Sequence, residues 1–154
     1  KNAFETLIFQ GFYAKFEEMA YKLEYNQITE NNLNEIIKSC ADEFYLNTQY
    51  FNSIESILIP HFITNPVYGH SYCTSIITAL EIYFLEEENR GAGFEAYMSI
   101  ISRGEGDVDF LTLLESANLT SPFKGSYMKE LADKIYYRLR GAHYYNSQPP
   151  SQVA

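Results

Sequence analysis

Apolar residues recur every three or four positions along most of this chain, and no stretch alternates in the manner of a strand. Phe4, Ile8, Phe12, Phe16, Met19 and Leu23 predict a long amphipathic opening helix, with Lys15, Glu18 and Lys22 mostly off the stripe. Thr29 is a good N-cap for a second helix, whose buried face holds Leu33, Ile36, Ile37, Cys40 and Phe44. The segment YLNTQYFNS reads as loop, with a short helical turn over Ser53 to Leu58. Pro60 and Pro66 then interrupt the chain. Asn65 suits an N-cap and Pro66 the first helical position, where a missing N–H costs nothing. One long helix is therefore expected from Val67 to Glu88, striped by Tyr72, Ile76, Leu80, Tyr83 and Phe84. Glu86, Glu87 and Glu88 crowd its end, against the helix dipole, with no sequence-level reason beyond solubility.

Gly91 and Gly93 precede a helix through Phe94, Tyr97, Met98 and Ile101, which RGEGDVD closes with Gly104 as the candidate C′ residue. A short helix starting at Asp107 or Val108 carries Phe110, Leu111 and Leu114, and NLTSPF is a turn. Ser126 to Leu139 is the last helix, on Tyr127, Leu131, Ile135 and Leu139. The predicted class is all-α, with about six or seven helices packed as a single bundle-like domain over residues 1–140. The tail 141–154, GAHYYNSQPPSQVA, loses the periodicity and is read as flexible.

Composition supports a packed core rather than disorder: 46% of the 154 residues are hydrophobic and 16% aromatic, as 14 Tyr and 11 Phe without Trp. No apolar run approaches the roughly 18 residues that span a bilayer, and KNAFETLIFQ lacks a secretory pattern. No membrane partner is expected. The net charge of −9 is uneven. Residues 1–123 hold 6 basic and 18 acidic side chains, net −12, whereas 124–154 hold 5 and 2, net +3. Such an acidic body repels phosphate backbones, so nucleic acid is disfavoured as a partner. The basic stripe Lys124, Lys129, Lys134, Arg138 and Arg140 is read as a solvated helix face or a dock for the acidic body. Cys40 and Cys73 have neither CxxC nor metal-ligand spacing, and two lone thiols suit a reducing, cytoplasmic setting.

Familiar catalytic signatures are missing from this stretch of chain: HExxH, GxSxG, a Walker A loop and GxGxxG do not occur. Three histidines cannot make a standard zinc cage without carboxylates placed by the fold, so no metal ligands are assigned. GEGDVD lacks the spacing of a calcium loop. Glu17 and Glu18 are consecutive on a helix, face different ways and do not form a paired-carboxylate site. The segment IPHFITNPVYGHSYCTS, residues 59–75, concentrates what chemistry remains. Tyr68 and Tyr72 are four apart and share a helix face, with His70 on another and His61 ahead of them. A histidine and two phenols at a helix start can polarise a carbonyl and stabilise a developing oxyanion, beside a metal or nucleophile supplied elsewhere. The bland alternative is that tyrosines on a helical stripe are core-edge residues with one satisfied hydroxyl. A self-contained enzyme built on His61 and Tyr68 has little support, because no nucleophile or ligand set accompanies them.

IPHF followed by N-P-V-Y-G-H-S-Y-C-T-S resembles the C-terminal signature of oligoendopeptidase F, in the thimet oligopeptidase group of zinc peptidases, where the run is close to IPHFY…FYVYQYATG. Ile59, Pro60, His61 and Phe62 match directly, and Tyr68, Tyr72 and Thr74 fall in register. TLIFQGFYAKFEEMAYKL is similar to the family helix with a Phe-x-x-x-Phe-Glu pattern, here Phe12, Phe16 and Glu17. ITENNLNEIIKSCADEFY and FEAYMSIISRGEGDVDFLTLLESANLTSP resemble two further family segments, so the likeness runs from about Phe4 to Leu139 in the usual order. His stands at position 70 where an aromatic is usual, Gly69 replaces an apolar residue, and Ser75 replaces glycine.

The resemblance implies part of a larger helical peptidase fold that hydrolyses short peptides. In that family two His and a Glu hold zinc, and the HExxH glutamate is the general base. Those elements lie upstream of everything matched here, so the chain is read as the C-terminal, substrate-cleft portion, inactive alone and without zinc of its own. On this mapping His61, Tyr68 and Tyr72 contact the oligopeptide substrate or its oxyanion, and the partner is the N-terminal catalytic portion of the same peptidase. His70 is read as structural or rim-exposed. The alternative is a non-catalytic helical module that binds peptides or a protein through exposed aromatic surface.

Overall fold

Helical periodicity is realised throughout the residues that the computed structural model describes, 2–47, 60–103 and 108–141. Among them are α1 (Asn2–Ala20), α2 (Glu30–Glu43), α3 (His61–Thr64), α4 (Tyr68–Glu88), α5 (Ala92–Ile101), α6 (Phe110–Ser116) and α7 (Gly125–Leu139), with one 3-10 turn and no strand. The fold is all-α. The chain divides into two compact units, Lys1–Ile77 and Thr78–Ala154, and the division falls inside α4. The turn expected over Ser53 to Leu58, Gly104 as a helix stop and the tail from residue 142 lie outside the described residues.

In the first unit Phe12 and Phe16 of the predicted α1 stripe meet the α2 stripe, whereas Ile8 stays 44% exposed and α1 ends at Ala20, short of Leu23. Phe12, Phe16, Leu33, Ile37, Cys40 and Ala41 form its core. Phe12 and Ile37 are fully buried, each contributing about 1.5–3 kcal/mol. Thr29 caps α2 as expected, its side-chain oxygen accepting the Asn32 N–H at 3.2 Å. Phe62 of α3 packs its ring on Tyr13 and Phe16 of α1, with centroids 5.9 Å apart in both pairs.

The second unit is built on the latter part of α4. Gly91, at φ 96°, turns the chain into α5, a conformation that glycine adopts without steric cost. Gly93 then lies against α4 so closely that a Cβ there would sit 2.5 Å from the Ile82 carbonyl oxygen. This approach explains a departure from the predicted stripe. Small residues, Gly93 and Ala96, make the buried contact, and the bulky Phe94, Tyr97, Met98 and Ile101 remain 41–63% exposed within the described chain. Leu114, Ala117 and Leu119 complete that core with Ala96. The short helix starts later than predicted, at Phe110, because Asp109 is the N-cap and accepts the Leu111 and Thr112 N–H groups at 3.1 Å each.

The three acids ending α4 each find a use. Glu86 accepts the Gly91 and Phe94 N–H groups at 2.8 and 3.1 Å, which caps α5. Glu87 pairs with Arg138 at 2.9 Å and accepts the Tyr83 hydroxyl at 2.7 Å. Glu88 pairs with Lys134 at 2.7 Å. Burial alone would pull the Lys134 ammonium down, but Glu88 and Glu130 outweigh it and hold it above its ordinary value. Two members of the basic stripe on α7 thus dock on acids of α4, while Lys129 pairs with Asp133 on its own helix.

Candidate functional site

Helix α4 begins one residue later than the sequence predicts, and the reason lies in the turn before it. Tyr68 N–H donates to the Asn65 carbonyl at 3.1 Å, closing a four-residue turn with Pro66 at its second position. Val67, at the third, has φ 67°, the left-handed region in which such a turn usually carries glycine. A β-branched residue held there costs of order 1–3 kcal/mol. The turn is held from α1: Val67 N–H donates to Glu17 Oε1 at 2.5 Å, across 50 residues of sequence. Glu17 is only 3% exposed. A hydrogen bond to a charged acceptor contributes about 1.5–3 kcal/mol, the same scale as the strain. One turn of α1 further on, the Tyr21 hydroxyl donates to the Phe62 carbonyl at 2.8 Å. Burial and the neighbouring Glu17 charge push that hydroxyl above its ordinary pKa.

Past the turn, Gly69 is buried against Ala14 of α1, and Tyr68 and Tyr72 emerge on one face. Their rings meet edge to face, 5.2 Å between centroids at 87°, a favoured aromatic geometry. Both remain well exposed, 43% for Tyr68 and 36% for Tyr72, so neither is a core residue. His70 is exposed between them in sequence. Thr74, in register with the family signature, turns its hydroxyl back to the His70 carbonyl at 3.0 Å. His61 opens α3, but its side chain lies outside the described part. The structure therefore brings Tyr68 and Tyr72 together and leaves the imidazole of His61 unplaced.

Nucleophilic and metal chemistry find little here. Cys40 is fully buried and Cys73 half-buried, and burial pushes both thiols up, which disfavours the reactive thiolate. Among the described residues, no three His, Cys, Asp or Glu side chains converge where a metal ion could sit. The zinc implied by the resemblance does not fit these residues, and no chemical step is assigned to it here. Each unit also has cavity space of its own. A cavity in the first unit, about 220 Å³, is lined by Phe16, Glu17, Ala20, Leu33, Phe62 and Ile63 among others. One in the second, about 150 Å³, includes Glu81, Thr120, Tyr127 and Lys134. Burial, then the Glu81 carboxylate, pushes the Tyr127 hydroxyl far up and keeps it neutral.

Sequence reasoning missed Glu17 and Val67. Glu17 was dismissed because it cannot pair with Glu18, whereas its task is to hold backbone. One signal was available: Tyr13, Glu17 and Tyr21 make a four-residue column, with a carboxylate between two aromatic rings. No protein-family model, curated protein or solved structure matches this chain.

Proposed function

We propose that this chain is the substrate-cleft portion of a zinc metalloendopeptidase resembling oligoendopeptidase F, acting on short peptides. The observation that carries the reading is the pair of exposed, edge-to-face phenols, Tyr68 and Tyr72, at the start of α4. In this role each hydroxyl donates to a carbonyl oxygen of the bound oligopeptide. The bond strengthens as that oxygen gains negative charge, which is how such donors accelerate acyl chemistry. His61 supplies a further donor from α3. The metal and the attacking water belong, on this reading, to the N-terminal catalytic portion of the same peptidase.

The purified chain is expected to bind an oligopeptide without cutting it and to carry no stoichiometric zinc. Cleavage of a quenched peptide by the chain alone, or zinc retained after dialysis against a chelator, overturns the assignment. In the complete enzyme, Tyr68→Phe should lower turnover by about 100-fold or more with a much smaller change in KM. Unchanged turnover removes Tyr68 from the mechanism.

A second reading, a non-catalytic module that binds a peptide or protein partner, is favoured by the apolar cavity of the first unit, with Ile63 71% and Ile28 53% exposed at its lining. Light scattering separates the two. A monomer that binds no hydrophobic dye argues against the module, since exposed apolar patches drive association.

A further inference from the structure

We propose that Glu17 is the positioning residue that presents Tyr68 and Tyr72, by holding the left-handed Val67 turn from which α4 starts. The importance of that presentation rests on the reading of the two tyrosines as peptide-facing donors. The clamp itself stands on separate observations. A carboxylate that is 97% buried, from its 3% exposure, is costly unless it is used. Among the described residues, the ion pairs on α1 engage its neighbour Glu18, with Lys15 and Lys22, rather than Glu17. The bond that Glu17 makes is to the Val67 N–H, and its Oε2 is buried without a hydrogen-bond partner.

Val67 immediately precedes Tyr68, so its φ sets the direction in which α4 departs and hence where both phenols point. At 67° that angle is one a valine leaves unless something holds it. The local hydrogen bonds do not select it: the Tyr68 N–H to the Asn65 carbonyl is also compatible with a right-handed residue at position 67, and the His70 N–H, at 3.2 Å, reaches the Val67 carbonyl rather than its N–H. The restraint comes from α1. Gly69 and Ala14 provide the close contact that brings the two helices near enough, a Cβ on Gly69 lying 3.5 Å from that of Ala14.

The native chain offers the first test. Although Val67 is 51% exposed, its amide should exchange with solvent deuterium at least ~100-fold more slowly than an open-loop amide, because it is tied to a buried acceptor. Exchange at the open-loop rate overturns the proposal. Variants then separate positioning from mere stability, with nuclear Overhauser contacts between the rings of Tyr68 and Tyr72 as the readout. Glu17→Leu removes the acceptor and should abolish those contacts and weaken oligopeptide binding roughly tenfold. Glu17→Gln, which keeps a carbonyl acceptor, should restore both. Val67→Gly added to Glu17→Leu should do the same, because glycine takes a positive φ unaided.

A folded Glu17→Leu protein with the ring contacts intact overturns the proposal, as does failure of Val67→Gly to restore them. If Glu17→Leu does not fold, Val67 amide exchange and the double variant decide. If Tyr68→Phe leaves turnover of the complete enzyme unchanged while the exchange and ring results come out as stated, the cleft reading fails and the positioning role stands.

Discussion

Position 69 carries glycine inside a helix, buried against Ala14 yet with 3.5 Å between a built Cβ and its nearest neighbour. Ordinary contact distance and a helical backbone mean that Gly69→Ala should stabilise the protein by about 0.5–1 kcal/mol, seen as a higher denaturation midpoint. Position 93 is the opposite case. There a Cβ meets the Ile82 carbonyl oxygen at 2.5 Å and Glu86 Cβ at 2.6 Å, so Gly93→Ala should cost about 1–3 kcal/mol in the same measurement. Sequence alone does not separate the two glycines, neither takes a positive φ in the structure, and only the facing helix distinguishes them. Thr29 was legible because a cap satisfies an N–H three residues away. Glu17 and Val67 were not, because their bond spans 50 residues and joins a helix to a turn.

At the scale of elements, the legible part is the burial stripe wherever large side chains make the contact, as on α1 and α2. It failed at Tyr72 and Tyr83 of α4 and Leu139 of α7, which stay exposed, and on α5, where close approach selects Gly93 and Ala96 for the interface and turns the hydrophobic bulk outward. Helix ends carry the acid sensitivity. Glu86 is held below its ordinary pKa, chiefly by the Gly91 N–H and then the Phe94 N–H. Asp109 is lowered by the Thr112 hydroxyl and then the Thr112 N–H, and Glu18 by Lys22. Each depressed carboxyl binds protons less readily in the folded chain than in the unfolded one. The stability they add is complete above the ordinary carboxylate range and is lost as pH falls through and below it. The thermal midpoint should therefore drop between about pH 5 and pH 3. Glu86→Gln, which removes the charge and leaves one oxygen for two N–H groups, should lower the midpoint at neutral pH and flatten that slope. An unchanged slope in this variant assigns the acid sensitivity elsewhere.

For the whole molecule, the class was readable from period alone, because 3.6-residue spacing recurs and alternation does not. The division within α4 was not readable, since the helical pattern runs through residues 77 and 78 without a break. Nor does the −9 charge stand as a diffuse acidic field, because Lys134 and Arg138 neutralise part of it at the end of α4. The outward hydrophobic bulk of α5 makes a prediction at this scale. The chain should bind a hydrophobic dye, and replacing Phe94 and Ile101 together by serine should weaken that binding by about half or more without lowering the denaturation midpoint. Retained dye binding places the sticky surface elsewhere. The acid triplet Glu86-Glu87-Glu88 shows how misleading a repetitive stretch can be. In a saturation library these adjacent codons should give three distinct tolerance profiles. Codon 86 should resist even glutamine, whose single oxygen serves one of the two N–H groups, codon 87 should be sensitive to changes at Arg138, and codon 88 should be rescued only by compensating replacements at Lys134.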